Sequence, residues 1–283
     1  MKTICIKVDV DTYSGLKYGV PRILKLLKNF GIKATFYVSL GPDNSGKAAI
    51  NLLKPSFFKK MLRTKAVRSY GIKTALYGTL LKAPLLFKLK EQLLSIEEDG
   101  HEVEFHAWDH RYWQDKILLS KKKDIERWFK NGISVFYNIY GRFPLSFAAP
   151  GWICSRDGLD VIKSLGFIKF ISLSRAKEPF IEKNTQLLEI PSNLPCLEEN
   201  SKDFLNLTLD GIEQTRYPVL PVHAEIEGGP FTGVFYELLT KLKEMKFEFL
   251  TMHDYYNLLK NEQLHIREFK IETLKGRAFE CLV

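Results

Sequence analysis

The hydrophobic pattern at the start of the chain alternates between the spacing of a strand and that of a helix. TICIKVDV (3–10) is short, β-branched and alternating in polarity, which predicts a strand. VPRILKLLKNFG (20–31) has apolar residues at helical spacing and ends on Gly31, a residue typical of helix C-caps. IKATFYVSL (32–40) predicts a second strand, so we expect parallel pairing through a right-handed crossover.

The same alternation continues along the rest of the chain. It predicts helices over 91–99, 120–140, 157–165, 233–246 and 253–260. It predicts strands over 101–107, 144–149, 167–173, near 187–192, over 217–226 and over 247–252. Strands and helices that alternate with short links favour an α/β fold, either a barrel or an open sheet. We expect one barrel domain over 1–260 and a C-terminal extension without a motif over 261–283.

Residues 42–90 depart from this alternation. The segment carries eleven lysines and arginines against one acid, Asp43, a difference of ten that exceeds the net charge of +9 for the whole chain. Bulky apolar residues are interleaved with these bases, which is typical of amphipathic helices that lie on an anionic membrane surface. The residues expected to contact lipid phosphates are Lys59, Lys60, Arg63 and Arg68. The alternative is a solvated helical insertion that packs on the barrel.

Composition narrows the class of protein further. A hydrophobic content of 45% excludes a disordered chain. The four cysteines are far apart and form no C-x-x-C pair, which argues against a disulfide framework or a cysteine-rich zinc site. Charged residues interrupt the N-terminal strand and no apolar stretch reaches about 18 residues, so we expect neither a signal peptide nor a membrane span. No nucleic-acid-binding module accompanies the basic charge, and we expect no nucleic-acid partner.

Two carboxylates mark the end of the first strand. Asp9 and Asp11 are two residues apart, so their side chains share one face of the strand while Val10 points to the other. The carboxyl end of a barrel strand is where α/β barrels place catalysis. Two close carboxylates suit a metal ligand and a general base, because a cation between them relieves their repulsion. A solvated strand end is the alternative.

Three histidines follow later in the chain. His106 and His110 are four residues apart, and on one helical turn their imidazoles would reach a common point. Two histidines and one aspartate make an open site for a divalent metal, although such pairs are often ordinary surface residues. HEVEFH is one residue too long for the H-E-x-x-H zincin motif. His223 lies at a predicted strand end beside Glu225, either as a core histidine or as a general acid.

Taken together, these motifs resemble the NodB-type polysaccharide deacetylases. The resembling stretches are KVDVDTYSGLKYGVPRIL, VSLGPDNSGK, KPSFFKKMLRTKAVRSYG, EFHAWDH, AAPGW and HAEIEG. They are most similar to the branch that removes formyl from 4-deoxy-4-formamido-arabinose on undecaprenyl phosphate, in lipid A modification. The resemblance implies a distorted (β/α) barrel of about seven strands with a basic helical insertion. It also implies a peripheral protein at the cytoplasmic face of the inner membrane.

The resemblance also implies roles for individual residues. Asp9 would be the general base and His223 the general acid. Asp11, His106 and His110 would hold one divalent metal ion, either zinc, cobalt, manganese or nickel. A backbone N–H near Trp152 would help to hold the oxyanion. The substrate, an amino sugar linked to undecaprenyl phosphate, would contact Trp152, Pro150, Glu225 and Asp43.

Two positions depart from the pattern of the family. Ala148 stands where the general family has an arginine that orients the base, and Arg156 is the candidate to replace it. Leu197 stands where the lipid-linked branch tends to have tryptophan, which leaves the sugar and the acyl group open. Removal of acetyl from an undecaprenyl-phosphate-linked N-acetylhexosamine is therefore an alternative activity. A non-catalytic lipid- or glycan-binding module is an alternative of another class.

Overall fold

The computed structural model describes residues 2–47, 74, 76–199, 202–274, 277 and 279–283. Its helices are α1 (Val20–Phe30), α2 (Lys90–Glu98), α3 (His110–Lys116), α4 (Lys122–Tyr140), α5 (Arg156–Ser164), α6 (Phe204–Glu213), α7 (Thr232–Glu244) and α8 (Met252–Leu259). Short helical turns lie at Gly15–Gly19, Leu86–Lys88, Ile117–Leu119 and Pro150–Trp152. None of the helices in this part of the chain is both long and apolar enough to cross a membrane.

In the described part of the chain, ten strands form one sheet that curls into a half-barrel, which confirms the α/β class. They are β1 (Thr3–Val10), β2 (Thr35–Ser39), β3 (Glu102–Ala107), β4 (Ser146–Ala148), β5 (Phe170–Ser172), β6 (Phe180–Glu182), β7 (Leu188–Glu189), β8 (Val219–His223), β9 (Glu248–Leu250) and β10 (Ile266–Arg267). The order is β10-β6-β7-β5-β4-β3-β2-β1-β8, and β9 pairs with β1. Within this sheet, every pairing between described strands is parallel except that of β6 with β7.

The helix α1, which follows β1, shows why its hydrophobic spacing predicts a helix. In α1, Val20, Ile23, Leu24 and Leu27 are buried against the sheet. Gly31 ends the helix in the left-handed conformation, with a φ of 60°, which costs a glycine little. Because the strands run parallel, their carboxyl ends meet at one edge, where β1 delivers Asp9 and Asp11 and its neighbour β8 delivers His223.

The predictions for the basic insertion and for the C-terminal extension have different outcomes. The residues expected to contact lipid phosphates, Lys59, Lys60, Arg63 and Arg68, lie outside the described residues. Residues 261–283 contribute β10, which extends the main sheet by pairing with β6. They also form a hairpin of β11 (Ile271–Glu272) and β12 (Cys281–Leu282). The division into a domain over 1–260 and an extension stays a prediction.

Candidate active site and metal centre

Asp11, His106 and His110 converge just beyond the carboxyl ends of the strands. Asp11 Oδ1 lies 3.1 Å from His106 Nε2, and Asp11 Oδ2 lies 3.2 Å from His110 Nε2. The three ligand atoms are within 4.8 Å of one another. His106 Nδ1 donates a hydrogen bond to the carbonyl of Ala148 at 2.8 Å, so Nε2 is the ring nitrogen that faces Asp11.

These three residues fit a divalent cation. Two imidazole nitrogens and a carboxylate are a common donor set for such ions and leave coordination positions open. Asp11 Oδ1 is buried and has no hydrogen-bond partner among the described residues, as expected of an atom that awaits a cation. Burial alone would raise the pKa of Asp11, but His110 and His106 lower it well below its usual range. The carboxylate is therefore ionised and available as a ligand.

His106 and His110 were expected on one helical turn, but a different local structure brings them together. They do not share a helical turn: His106 lies on β3, and His110 is the first residue of α3. Asp109 caps that helix, since its side chain accepts a hydrogen bond from the Tyr112 N–H at 2.9 Å. The turn is tight against the loop after β2, where a Cβ on Gly41 would lie 2.0 Å from the carbonyl oxygen of Trp108. A strand-to-helix turn thus brings the imidazoles together.

Asp9 is held by a residue that sequence reasoning missed. Lys7 Nζ lies 2.8 and 2.6 Å from the two carboxylate oxygens of Asp9, and the lysine is completely buried. Its ammonium also lies over the rings of Tyr37 and Trp152, at 5.1 and 5.7 Å from their centroids. Arg156, the expected orienting group, is exposed and faces Asp160 at 3.8 Å. Lys7 therefore fixes the position of the Asp9 carboxylate.

His223 forms a buried ion pair with an acid from a distant loop. Its Nδ1 lies 3.4 Å from Glu198 Oε2. Burial would lower the pKa of His223, but the charge and hydrogen bond of Glu198, with Asp11 and Asp9, raise it well above its usual value. The imidazole therefore keeps its proton at neutral pH, as a general acid requires. Glu198 was missed because only the fold brings it to His223.

Cys196 makes a second potential ligand group with the same pair. Its Sγ lies within 4.8 Å of donor atoms on Glu198 and His223. Burial raises the pKa of Cys196 well above its usual value, so it stays a neutral thiol. The thiolate, not the thiol, binds metals. We therefore interpret these three residues as the His223–Glu198 ion pair with the neutral thiol of Cys196 packed beside it, and not as a metal site.

The expected substrate contacts occupy different positions around this centre. Glu225 is buried, and burial and the charge of Asp11 raise its pKa well above the usual range. Gly15 leaves room for it, since a Cβ there would lie 2.6 Å from Glu225 Oε2. Asp43 instead ties loops together: it accepts hydrogen bonds from the backbone of Tyr13 at 2.8 Å and of Ser45 at 3.0 Å.

The AAPGW loop contributes Pro150 and Trp152. Pro150 opens a short helical turn, and the Trp152 ring meets His223 edge-on, with centroids 5.9 Å apart. The Trp152 N–H donates to the Ala149 carbonyl at 3.1 Å, so this group is not free to hold an oxyanion. If a backbone N–H holds the oxyanion, it belongs to a residue near Trp152 and not to Trp152 itself. Leu197, the other departure, is buried in the hydrophobic core.

Comparison with known proteins identifies the family of this chain. Residues 2–169 match the polysaccharide deacetylase family. The chain is 33% identical to a probable 4-deoxy-4-formamido-L-arabinose-phosphoundecaprenol deformylase of Shewanella sediminis, over 87% of this chain and 83% of the relative. It is 31% identical to the probable deformylase of the same name from Wigglesworthia glossinidia brevipalpis, over 93% and 96%.

Solved structures share the fold at low sequence identity. A Mycobacterium smegmatis protein assigned to the polysaccharide deacetylases superposes with a TM-score of 0.66 at 16% identity, over 96% of this chain and 94% of that one. A family 4 acetyl xylan esterase from Clostridium thermocellum, in complex with a cobalt ion, superposes with a TM-score of 0.50 at 15% identity, over 91% of this chain and 91% of that one. The family match covers more than half of the chain, and the curated relatives extend it, so this protein belongs to the polysaccharide deacetylase family.

Proposed function

We propose that this protein is a metal-dependent amide hydrolase that removes the formyl group from 4-deoxy-4-formamido-arabinose linked to undecaprenyl phosphate. The observation that carries the proposal is the Asp11–His106–His110 triad beside Asp9 and His223. Similarity to two probable deformylases over most of the chain supports the choice of substrate. Such a reaction belongs to lipid A modification.

The residues of the site divide the reaction between them. A divalent ion held by the triad would polarise the amide carbonyl and lower the pKa of water. Asp9, held by Lys7, accepts the proton of the attacking water as the tetrahedral centre forms. His223, protonated through its pair with Glu198, donates a proton to the sugar nitrogen as the C–N bond breaks. The products are formate and a sugar amine.

The identity of the metal follows only in part from the donor set. Imidazole nitrogen and carboxylate oxygen suit zinc, cobalt, manganese and nickel alike, so supply and geometry decide between them. The partners that we propose are the lipid-linked amino sugar and an anionic membrane surface, at the cytoplasmic face of the inner membrane. The similarity to two probable phosphoundecaprenol deformylases supports the first partner.

Mass spectrometry of two lipid substrates tests the proposal. Purified protein is incubated with undecaprenyl-phosphate formamido-arabinose or with undecaprenyl-phosphate N-acetylhexosamine, with divalent metal added or chelated. We expect loss of formyl only with metal present, no loss with His106→Ala, and full activity with the exposed control His265→Ala. Loss of acetyl alone would move the protein to the alternative substrate. No loss from either lipid would favour a binding module and contradict the proposal.

A further inference from the structure

An exposed apolar turn follows the helix that begins with His110. The turn Ile117–Leu119 links α3 to α4, and Ile117 is buried while Leu118 and Leu119 are 51% and 85% exposed. Two adjacent leucines in water are unfavourable unless another apolar surface covers them. The buried Ile117 anchors the turn in the core, and the two leucines that follow it are exposed.

Lysines flank these two leucines along the chain. Lys116 precedes the turn and Lys121, Lys122 and Lys123 follow it, and all four are exposed. None of them forms an ion pair with a residue that the structure describes. The nearest acids are already paired, Asp115 with Arg111 and Asp124 with Arg127. The eight residues KILLSKKK therefore present a positive charge that the described part of the chain does not neutralise.

The position of this turn relates it to the candidate active site. The helix α3 has seven residues, so the turn lies about 10 Å from His110 along the helix axis. A second exposed pair, Leu80 and Leu81, is 82% and 40% exposed. Its loop reaches the other end of α3 through Asn44, whose Nδ2 donates to Asp109 at 2.7 Å.

We propose that residues 116–123 dock the protein on an anionic lipid surface. Leu118 and Leu119 enter the headgroup boundary and the four lysines bind lipid phosphates. The inference rests on the proposed function, because a lipid-linked substrate has to be reached at a membrane. It assigns the contact to a turn outside the basic insertion.

Sedimentation with vesicles tests this assignment without any enzyme assay. We expect binding to phosphatidylcholine vesicles that contain phosphatidylglycerol and little binding to phosphatidylcholine alone. Leu118→Ser with Leu119→Ser should weaken binding at least about tenfold, since two leucines leave the boundary. The control Leu258→Ser changes a leucine that is 52% exposed on α8 and should bind like wild type. Equal binding by the double variant and wild type, or none by wild type, would overturn the proposal.

A second, independent observation concerns the ring of Trp152. Two guanidinium groups lie over it, Arg175 at 4.8 Å and Arg277 at 4.7 Å from the centroid. Both arginines pair with the carboxylate of Glu199, at 3.0 and 2.9 Å; Glu199 is buried and the two arginines are half-buried. Trp152 has a φ of 53°, a left-handed conformation that is unfavourable for tryptophan and needs support from its surroundings.

One of these arginines comes from the C-terminal segment. Arg277 also donates to the carbonyl of Gly151 at 3.2 Å, so it contacts both the backbone and the ring of the AAPGW loop. Arg175 is tied to the same segment, because its backbone N–H donates to the Leu282 carbonyl at 2.8 Å. Residues beyond 261 therefore help to shape the wall that faces His223.

We infer that Arg277 is a positioning residue, which holds Trp152 against the general acid His223. The inference rests on the proposed function, since it concerns the rate of that reaction. Arg277→Ala should lower kcat at least about tenfold with little change in KM, because a small displacement of a supporting group costs rate more than binding. Millimolar guanidinium should restore part of the lost kcat, which a general loss of stability would not allow.

A matched substitution separates this role from support of the segment. Arg267 lies on β10 and packs over Phe180 at 3.9 Å, away from Trp152. Arg267→Ala should keep kcat near that of wild type. If Arg277→Ala keeps kcat, or loses it without rescue by guanidinium, the positioning role is wrong. If wild type itself is inactive on the lipid, the proposed function fails first.

Discussion

Replacing Lys7 by methionine tests how the base is held. The lysine is fully buried and Asp9 is 3% exposed, so neither charge has access to water. Lys7 Nζ lies 2.8 and 2.6 Å from the two carboxylate oxygens. Lys7→Met keeps most of the side-chain volume but leaves a buried carboxylate without its partner. Breaking such a pair costs about 3–5 kcal/mol, so we expect the free energy of unfolding to fall by that amount.

A double-mutant cycle measures the coupling directly. Lys7→Met, Asp9→Asn and the combination of both are compared by urea unfolding in the presence of a chelator, which removes any contribution from bound metal. We expect the double variant to be more stable than Lys7→Met, since it no longer buries an unpaired charge. Lys241→Met, which removes an exposed pair with Glu237, should change stability by less than about 1 kcal/mol.

Two results would show that Lys7 does not hold Asp9. A cost below about 1 kcal/mol for Lys7→Met would mean that the pair behaves like an exposed one. Simple additivity of the two single variants would mean that Lys7 and Asp9 do not support each other. In the assay with the lipid substrate, Lys7→Met should also lose most of its kcat, because the carboxylate is no longer held.

Three further predictions follow from the same site. Glu198→Gln removes the charge that raises the pKa of His223, so the alkaline limb of a kcat–pH profile should move to lower pH. An alkaline limb at the same pH as in wild type would show that Glu198 does not set the pKa of His223. His110→Ala should weaken metal binding at least about tenfold by calorimetry, with His253→Ala unchanged. Gly41→Ala would place a Cβ 2.0 Å from the Trp108 carbonyl, so thermal unfolding should show a stability loss of about 2 kcal/mol or more.

The longer helices and strands could be predicted from the sequence because they span enough residues for the hydrophobic period to repeat. The strand over 3–10 is confirmed at both ends, and α1 lies within its predicted range and is followed by Gly31 as its cap. Strands of two or three residues, such as β6 and β10, were not predicted, because runs of so few residues are too short to show a hydrophobic period. Their place in the sheet depends on pairing with distant chain segments.

The candidate site shows the same division. Asp11, His106 and His110 could be recognised as ligands from residue type and order, although their meeting point depends on a strand-to-helix turn. The contact of Lys7 with Asp9 could have been predicted, since the two residues are two apart and a strand places both side chains on one face. The contact of Glu198 with His223 could not, because Glu198 is 25 residues from His223 and only the packing of a loop against β8 brings them together.

A metal titration followed by formate release tests whether one divalent ion at Asp11, His106 and His110 drives the reaction. Chelated protein receives increasing amounts of one divalent metal, and the rate of formate release from the lipid-linked formamido sugar is recorded at each step. We predict a rate that rises in proportion to bound metal and reaches its plateau at one ion per chain, with no rise in His106→Ala. Formate release that is independent of metal, or equal in wild type and His106→Ala, would contradict the account.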